Sequence, residues 1–105
     1  MSMIYIFWTC RDKIEAKRII HELLGRKLIA CASIFPEIES IYRWEGKIEE
    51  SREIKVILKT FPKHFDAIQK YIQAHCSYEV PEILQVDVAQ GNPAYSAWVA
   101  NEISS

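Results

Sequence analysis

The chain has 105 residues and a mass of 12.2 kDa, enough for one domain around one core. Half of it is hydrophobic and 26% is charged, an ordinary globular balance that excludes disorder, collagen and coiled coil. Thirteen basic against fourteen acidic residues leave a formal charge of −1, so counterion release has little to drive and no nucleic-acid partner is expected.

The opening residues are apolar, but no basic region precedes them, and Cys10, Arg11 and Asp12 cut the run short. Neither a signal peptide nor a spanning helix is expected, and no membrane partner; cytoplasmic residence is the default. Three cysteines without a C-x-x-C spacing fit a reducing compartment and no disulfide framework. With only three glycines and four prolines there is no linker, and the whole span 1–105 reads as a single domain.

Met3 to Cys10 is too short for a core helix and reads as a strand covered on part of both faces. Asp12 offers an N-cap with Glu15 at the capping-box position. Ile14, Ile19, Ile20, Leu23 and Leu24 are assigned to the buried side of the helix that follows, which Gly25 to Lys27 closes. Leu28 to Tyr42 is rich in β-formers, and Pro36 predicts an edge strand or a bulge. Trp44-Glu45-Gly46-Lys47 is a turn. Glu49 to Thr60 returns as a strand, with Ile54, Val56 and Leu58 on one face and Glu53, Lys55, Ile57 and Lys59 on the other. A second helix runs from about Pro62 to His75 on Phe65, Ile68 and Ile72. Glu82 to Ala89 is the last strand, and Pro93 to Glu102 a short helix carrying Tyr95 and Trp98.

This order predicts an α+β fold, a ferredoxin-like βαββαβ with an antiparallel sheet, a long β2–β3 hairpin and a C-terminal helix. Residues 30 to 42 span roughly 40 Å at about 3.3 Å each, against about 25 Å for the first strand, so the hairpin must outreach its own sheet. Its far end carries Ile38, Ile41, Tyr42, Trp44 and Ile48. Burying one such side chain is worth about 1.5–3 kcal/mol, and a lone two-stranded ribbon is marginal, so a homo-oligomer is inferred. The competing arrangement folds the hairpin back over its own sheet.

Ala30-Cys31-Ala32-Ser33-Ile34-Phe35-Pro36, followed by Ile38-Glu39-Ser40-Ile41-Tyr42-Arg43-Trp44-Glu45-Gly46-Lys47-Ile48-Glu49, resembles the signature of the CutA family, the divalent-cation-tolerance proteins. Ile57-Leu58-Lys59-Thr60, Tyr78-Glu79-Val80-Pro81-Glu82-Ile83, Gly91-Asn92, Tyr95 and Trp98 look like further family segments. The resemblance covers nearly the whole chain. It implies a homotrimer joined through the long hairpins, a link to divalent metals, copper especially, and no firmly attached enzymatic reaction.

In the predicted topology the loop after the first strand, the hairpin turn and the loop after the second helix share one end. Cys10, His75 and Cys76 are therefore the candidate metal ligands, with Cys31 at the opposite end. Thiolate and imidazole suit copper and zinc better than magnesium or calcium. Neighbouring side chains such as His75 and Cys76 diverge, so the competing reading makes Cys76 a small buried apolar residue and His75 a solvated helix-end cation. Tyr42, Trp44, Glu45, Lys47, Lys59, Tyr78, Glu82, Tyr95 and Trp98 form a second set, either a small-ligand site at a subunit interface or the interface itself, with Lys59 paired to Glu82 or Glu45. His21 and His64 read as solvated.

Acylphosphatase chemistry needs a phosphate-cradling loop after the first strand, and Thr9-Cys10-Arg11-Asp12 has no glycine. An RNA-recognition sheet needs exposed aromatics on its third strand, where Glu53, Lys55, Ile57 and Lys59 stand. Ser33, Ser40 and Ser51 have no histidine near them in the topology, so no enzyme is expected. The rival to a copper-binding tolerance protein is a trimeric signalling module that holds a small effector or protein partner in clefts between subunits.

Overall fold

Strict alternation along two strands creates the buried layer. In the computed structural model, which describes residues 2–105, Ile4, Ile6, Trp8 and Cys10 and then Ile54, Val56, Leu58 and Thr60 turn to one side of the sheet and are buried. The elements run β1 (Ile4–Cys10), α1 (Lys13–Gly25), β2 (Cys31–Trp44), β3 (Lys47–Thr60), a 3₁₀ turn (Pro62–His64), α2 (Phe65–His75), β4 (Ile83–Asp87) and α3 (Pro93–Glu102). Met1 lies outside the described residues. The sheet order is β2-β3-β1-β4 with every pairing antiparallel, the expected ferredoxin-like arrangement with α3 added.

The helices cover one face. Asp12 caps α1 by accepting the Glu15 backbone N–H at 2.8 Å. Ala16, Ile19, Ile20 and Leu23 pack onto the strands together with Ile68 and Ile72 of α2. Ile14 does not join them and is 82% exposed. It stands two residues before Ala16, about 200° round the helix, so the side assigned to it from sequence was wrong. Leu24 lies at the rim and is likewise exposed. Lys27, with φ 57°, takes the left-handed conformation that ends the turn after α1. His64 is a second correction: it is buried, and its Nε2 meets the Ser104 carbonyl at 2.9 Å. Ser104 N–H in turn donates to the Lys27 carbonyl at 2.8 Å, so the segment after α3 closes over that end of the molecule.

Neither α1 nor α2 covers the opposite face of the sheet, and α3 reaches only its end, where Tyr95 comes near Cys31 and Tyr5. Phe35, Leu84 and Val86 stand exposed there, beside half-buried Phe7 and Ile57. β2 is an edge strand and carries a bulge at Pro36, both as expected: Phe35 faces Lys55, but the next regular pair is Ile38 with Glu53. The extra residue reverses the parity of β2. Tyr42 and Trp44 consequently share the open face with Cys31, Ser33 and Phe35. Beyond the bulge, residues 38–44 and 47–53 pair only with each other. This ribbon runs for roughly 23 Å at about 3.3 Å per residue. It stretches the chain to 44 Å in one direction against 26 and 23 Å in the others. Glu45 (φ 49°) and Gly46 (φ 80°) make the tight two-residue turn at its tip, both in the left-handed region such a hairpin requires.

Candidate functional site

Cys10 ends β1 and Cys76 directly follows α2, and the topology brings both to the end of the sheet from which the ribbon leaves. Glu15 lies between them. Its carboxylate accepts the Ser77 backbone N–H at 3.2 Å and approaches the Cys76 sulfur at 3.5 Å. The capping box is therefore only half made: Glu15 reaches across to the loop after α2 instead of back to Asp12. Cys10 Sγ faces the Asp12 carbonyl at 3.6 Å. The buried indole N–H of Trp8, which has no oxygen or nitrogen acceptor, lies near the Cys76 sulfur. Burial first, then the charges of Glu15, Cys76 and Asp12, push the Cys10 thiol up to about 12. Burial also raises Cys76, against a backbone hydrogen bond from Tyr78 and with the help of Glu15. Both thiols rest protonated at neutral pH, and a metal would have to displace their protons.

His75 is not part of this nest. Its ring is exposed and stacked on Tyr71 at 3.9 Å, with Nδ1 against the Tyr71 carbonyl at 2.9 Å. Among the described residues no group of three or more His, Cys, Asp or Glu side chains is arranged to hold a metal ion. The expected trio is thus reduced to two thiols with Glu15 as their neighbour. Sequence reasoning assigned Glu15 to helix capping and missed it, although a carboxylate four residues before Ile19, on the buried stripe of α1, was the available signal.

The second expected set divides between the two ends of the sheet. Tyr42, Trp44, Tyr78 and Glu82 line a cleft of 640 Å³ between the ribbon and the loop before β4, together with Arg11, Ser51 and Glu53. The Tyr78 phenol lies near the Glu53 carboxylate; burial, then this neighbour, raises it well above the ordinary range. The Ser51 hydroxyl is buried without a partner at the cleft wall. Glu45 and Lys47 sit at the ribbon tip. Lys59 lies at the far end, opposite Cys31, and donates to Ser33 Oγ at 2.7 Å; Tyr95 approaches Cys31 there too. Trp98 packs beside Tyr95 on α3, ring centres 5.7 Å apart. Within the chain it is Lys55, and not Lys59, that meets Glu82, at 3.4 Å; the expected pairing of Lys59 with Glu82 or Glu45 is one between subunits. Lys55 and Lys59 share one face four residues apart, and only the register against β2 and β4 separates their partners. Cys31 is at the end opposite Cys10, as the topology predicted.

Known proteins align with this architecture along almost its whole length. The family model described as CutA1 divalent ion tolerance protein matches residues 4–102. A Protein CutA homolog of Xenopus laevis is 39% identical over 101 residues, 96% of this chain and 66% of that protein. A Divalent-cation tolerance protein CutA of Yersinia pestis is 34% identical over 98 residues, 93% of this chain and 82% of that one. The chain spans about half to two thirds of the length of several curated relatives, 52% for Protein CutA of Mus musculus. The crystal structure of CutA1 from Oryza sativa superposes with a TM-score of 0.94 at 34% identity, covering 99% of this chain and 95% of that one. The periplasmic divalent cation tolerance protein CutA from Archaeoglobus fulgidus gives 0.94 at 33% identity, over 97% and 99%. With the strand order, the long hairpin and these matches in agreement, the chain belongs to the CutA1 divalent ion tolerance family.

Proposed function

We propose that this protein serves divalent-cation tolerance as a homotrimer, and that it takes up divalent metal, copper best, weakly and as cargo. The observation that carries the assembly is the ribbon. Among the described residues its strands pair only with each other, yet they expose Ile41 and Ile48 at 68% each, with Tyr42 and Trp44 also in water. The uncovered sheet face carries Phe35, Leu84 and Val86 on the side of Tyr42 and Trp44, while Ile41 and Ile48 stand on the other side of the ribbon. Sister chains that cover both remove this apolar area from water and give the ribbon a support it lacks alone. Light scattering is expected to return three times the 12.2 kDa chain mass; a well-folded particle of 12.2 kDa would overturn the assembly.

For the metal, the Cys10 and Cys76 thiols beside Glu15 are a soft donor set that suits copper and zinc. Two thiols and one carboxylate leave coordination incomplete, which supports weak uptake over a closed structural site. Titration calorimetry of the metal-free protein with Cu(II) and Zn(II) tests this. Binding lost in Cys10→Ser/Cys76→Ser but kept in His75→Ala supports ligation by the thiols.

A second reading has its own observation in its favour. The 640 Å³ cleft joins Tyr42, Trp44 and Tyr78 to Arg11, Glu53 and an unpaired Ser51 hydroxyl, the mixture that a small polar effector needs. Failure to bind copper or zinc at micromolar concentration moves the proposal to this trimeric signalling module. Neither reading assigns a reaction or a nucleic-acid partner to the chain. Among the described residues no helix is long and apolar enough to cross a membrane. We place the protein in the cytoplasm, where its three free thiols stay reduced, and cell fractionation checks that placement.

A further inference from the structure

The three cysteines differ in what faces them. Cys10 is enclosed in the core, and Cys76 meets the Glu15 carboxylate. Cys31 is half-buried at the start of the edge strand and directly opposite Lys59 in the β2–β3 ladder, with Lys59 Nζ 3.8 Å from its sulfur. Two groups position that amine. Ser33 Oγ accepts from Nζ at 2.7 Å, and the Tyr5 ring lies 5.8 Å from it. The phenol of Tyr95 approaches the same sulfur from α3, and burial, then the nearness of Cys31 and Tyr5, raises it. Among the described residues Lys55 is matched with a carboxylate, Glu82, whereas Lys59 points its charge at a hydroxyl and a thiol. An amine held against a thiol across a strand pair is placed to trap that thiol once it is oxidised.

We propose that Cys31 and Lys59 form a reversible N–O–S cross-link under a hydroperoxide. A first hydrogen peroxide delivers one oxygen to the Cys31 sulfur, giving S–OH and releasing one water. The Lys59 ammonium gives up one proton to solvent. A second peroxide then removes two electrons as the sulfenic oxygen bonds to Nζ; one O–H and one N–H are lost and two waters leave. Sulfur loses two electrons in the first step, the oxygen–nitrogen pair loses two in the second, and each peroxide takes up two. The product ties the first residue of β2 to β3 and removes the Lys59 cation from the open sheet face. The reaction joins side chains already in contact within one chain, and it rests on peroxide reaching this end of the face that sister chains are proposed to cover.

Intact-mass spectrometry of the purified full chain after hydrogen peroxide tests the link. The expected species is about 14 Da heavier than the reduced chain, one oxygen gained and two hydrogens lost. Trypsin is expected to stop cleaving after Lys59, the peptides holding Cys31 and Lys59 to be joined, and dithiothreitol to restore both. Lys59→Arg keeps the cation and is expected to lose the species; Cys10→Ser/Cys76→Ser is expected to keep it. Gains of about 16 or 32 Da on Cys31 with normal cleavage after Lys59 would overturn the proposal. So would a joined pair lighter by two hydrogens, which has no bridging oxygen. Peptide mapping of the unmodified sequence decides between these outcomes even if a variant fails to fold.

Discussion

Residues 54–60 of β3 lie between β1 and β2 under two helices, whereas residues 47–53 of the same strand have only β2 beside them. The first half reads Ile54-Lys55-Val56-Ile57-Leu58-Lys59-Thr60 and, Ile57 apart, alternates apolar with polar side chains; the second reads Lys47-Ile48-Glu49-Glu50-Ser51-Arg52-Glu53 and carries a single apolar one. In the first half Ile54, Val56 and Leu58 are buried; in the second Ile48 stands in water. β1 ends at Cys10 opposite Ile54, where the apolar alternation of β3 begins. One strand thus belongs to a core at one end and offers a surface to sister chains at the other. Burial here follows from the pattern of the strand and the reach of its neighbour together.

The contrast can be broken by substitution. Leu58→Ala, deep in the first half, is expected to cost about 2–5 kcal/mol of unfolding free energy in a urea titration at fixed assembly state. Trp44→Ala in the second half is expected to leave the fold of each chain intact and to weaken association by about 1.5–3 kcal/mol per subunit, read as a dissociation midpoint in dilution light scattering. Unchanged assembly, with a loss of chain stability like that of Leu58→Ala, would mean that the ribbon is covered by its own chain. The end where the halves meet can be probed through Glu15. Glu15→Ala strands the Ser77 N–H and is expected to cost about 1–3 kcal/mol in thermal or urea unfolding, while the trimer mass stays the same.

The smallest effect concerns Asp12 in the same corner. The Glu15 backbone N–H, then the Arg11 charge acting against some desolvation, holds its carboxyl below the ordinary value of 3.8. A depressed folded value means that the cap stabilises the fold above the unfolded pKa. That contribution is lost as pH falls through the folded one. A modest drop in melting temperature on acidification, absent in Asp12→Asn, is the expected result; Asn caps without a charge.

Much of the fold could be read from short-range pattern. The alternation through Ile54 to Leu58, the N-cap at Asp12, the Glu45-Gly46 turn and the bulge at Pro36 each follow from local stereochemistry and stand where expected. The candidate site was less legible. Lys55 and Lys59 are equivalent in sequence, and only strand register gives one a carboxylate and the other a thiol. His64 looked solvated because the segment that buries it arrives forty residues later, at Ser104.

The order of elements, the excess length of the hairpin and the end to which Cys10 and Cys76 would go were determined by the chain itself, since periodicity, turn chemistry and strand direction are local or topological. Tertiary structure alone decided that Glu15 joins those thiols while His75 turns away, and that the aromatic set divides between two ends. Those outcomes depend on side chains distant in sequence competing for the same few ångströms, and no local pattern records the winner.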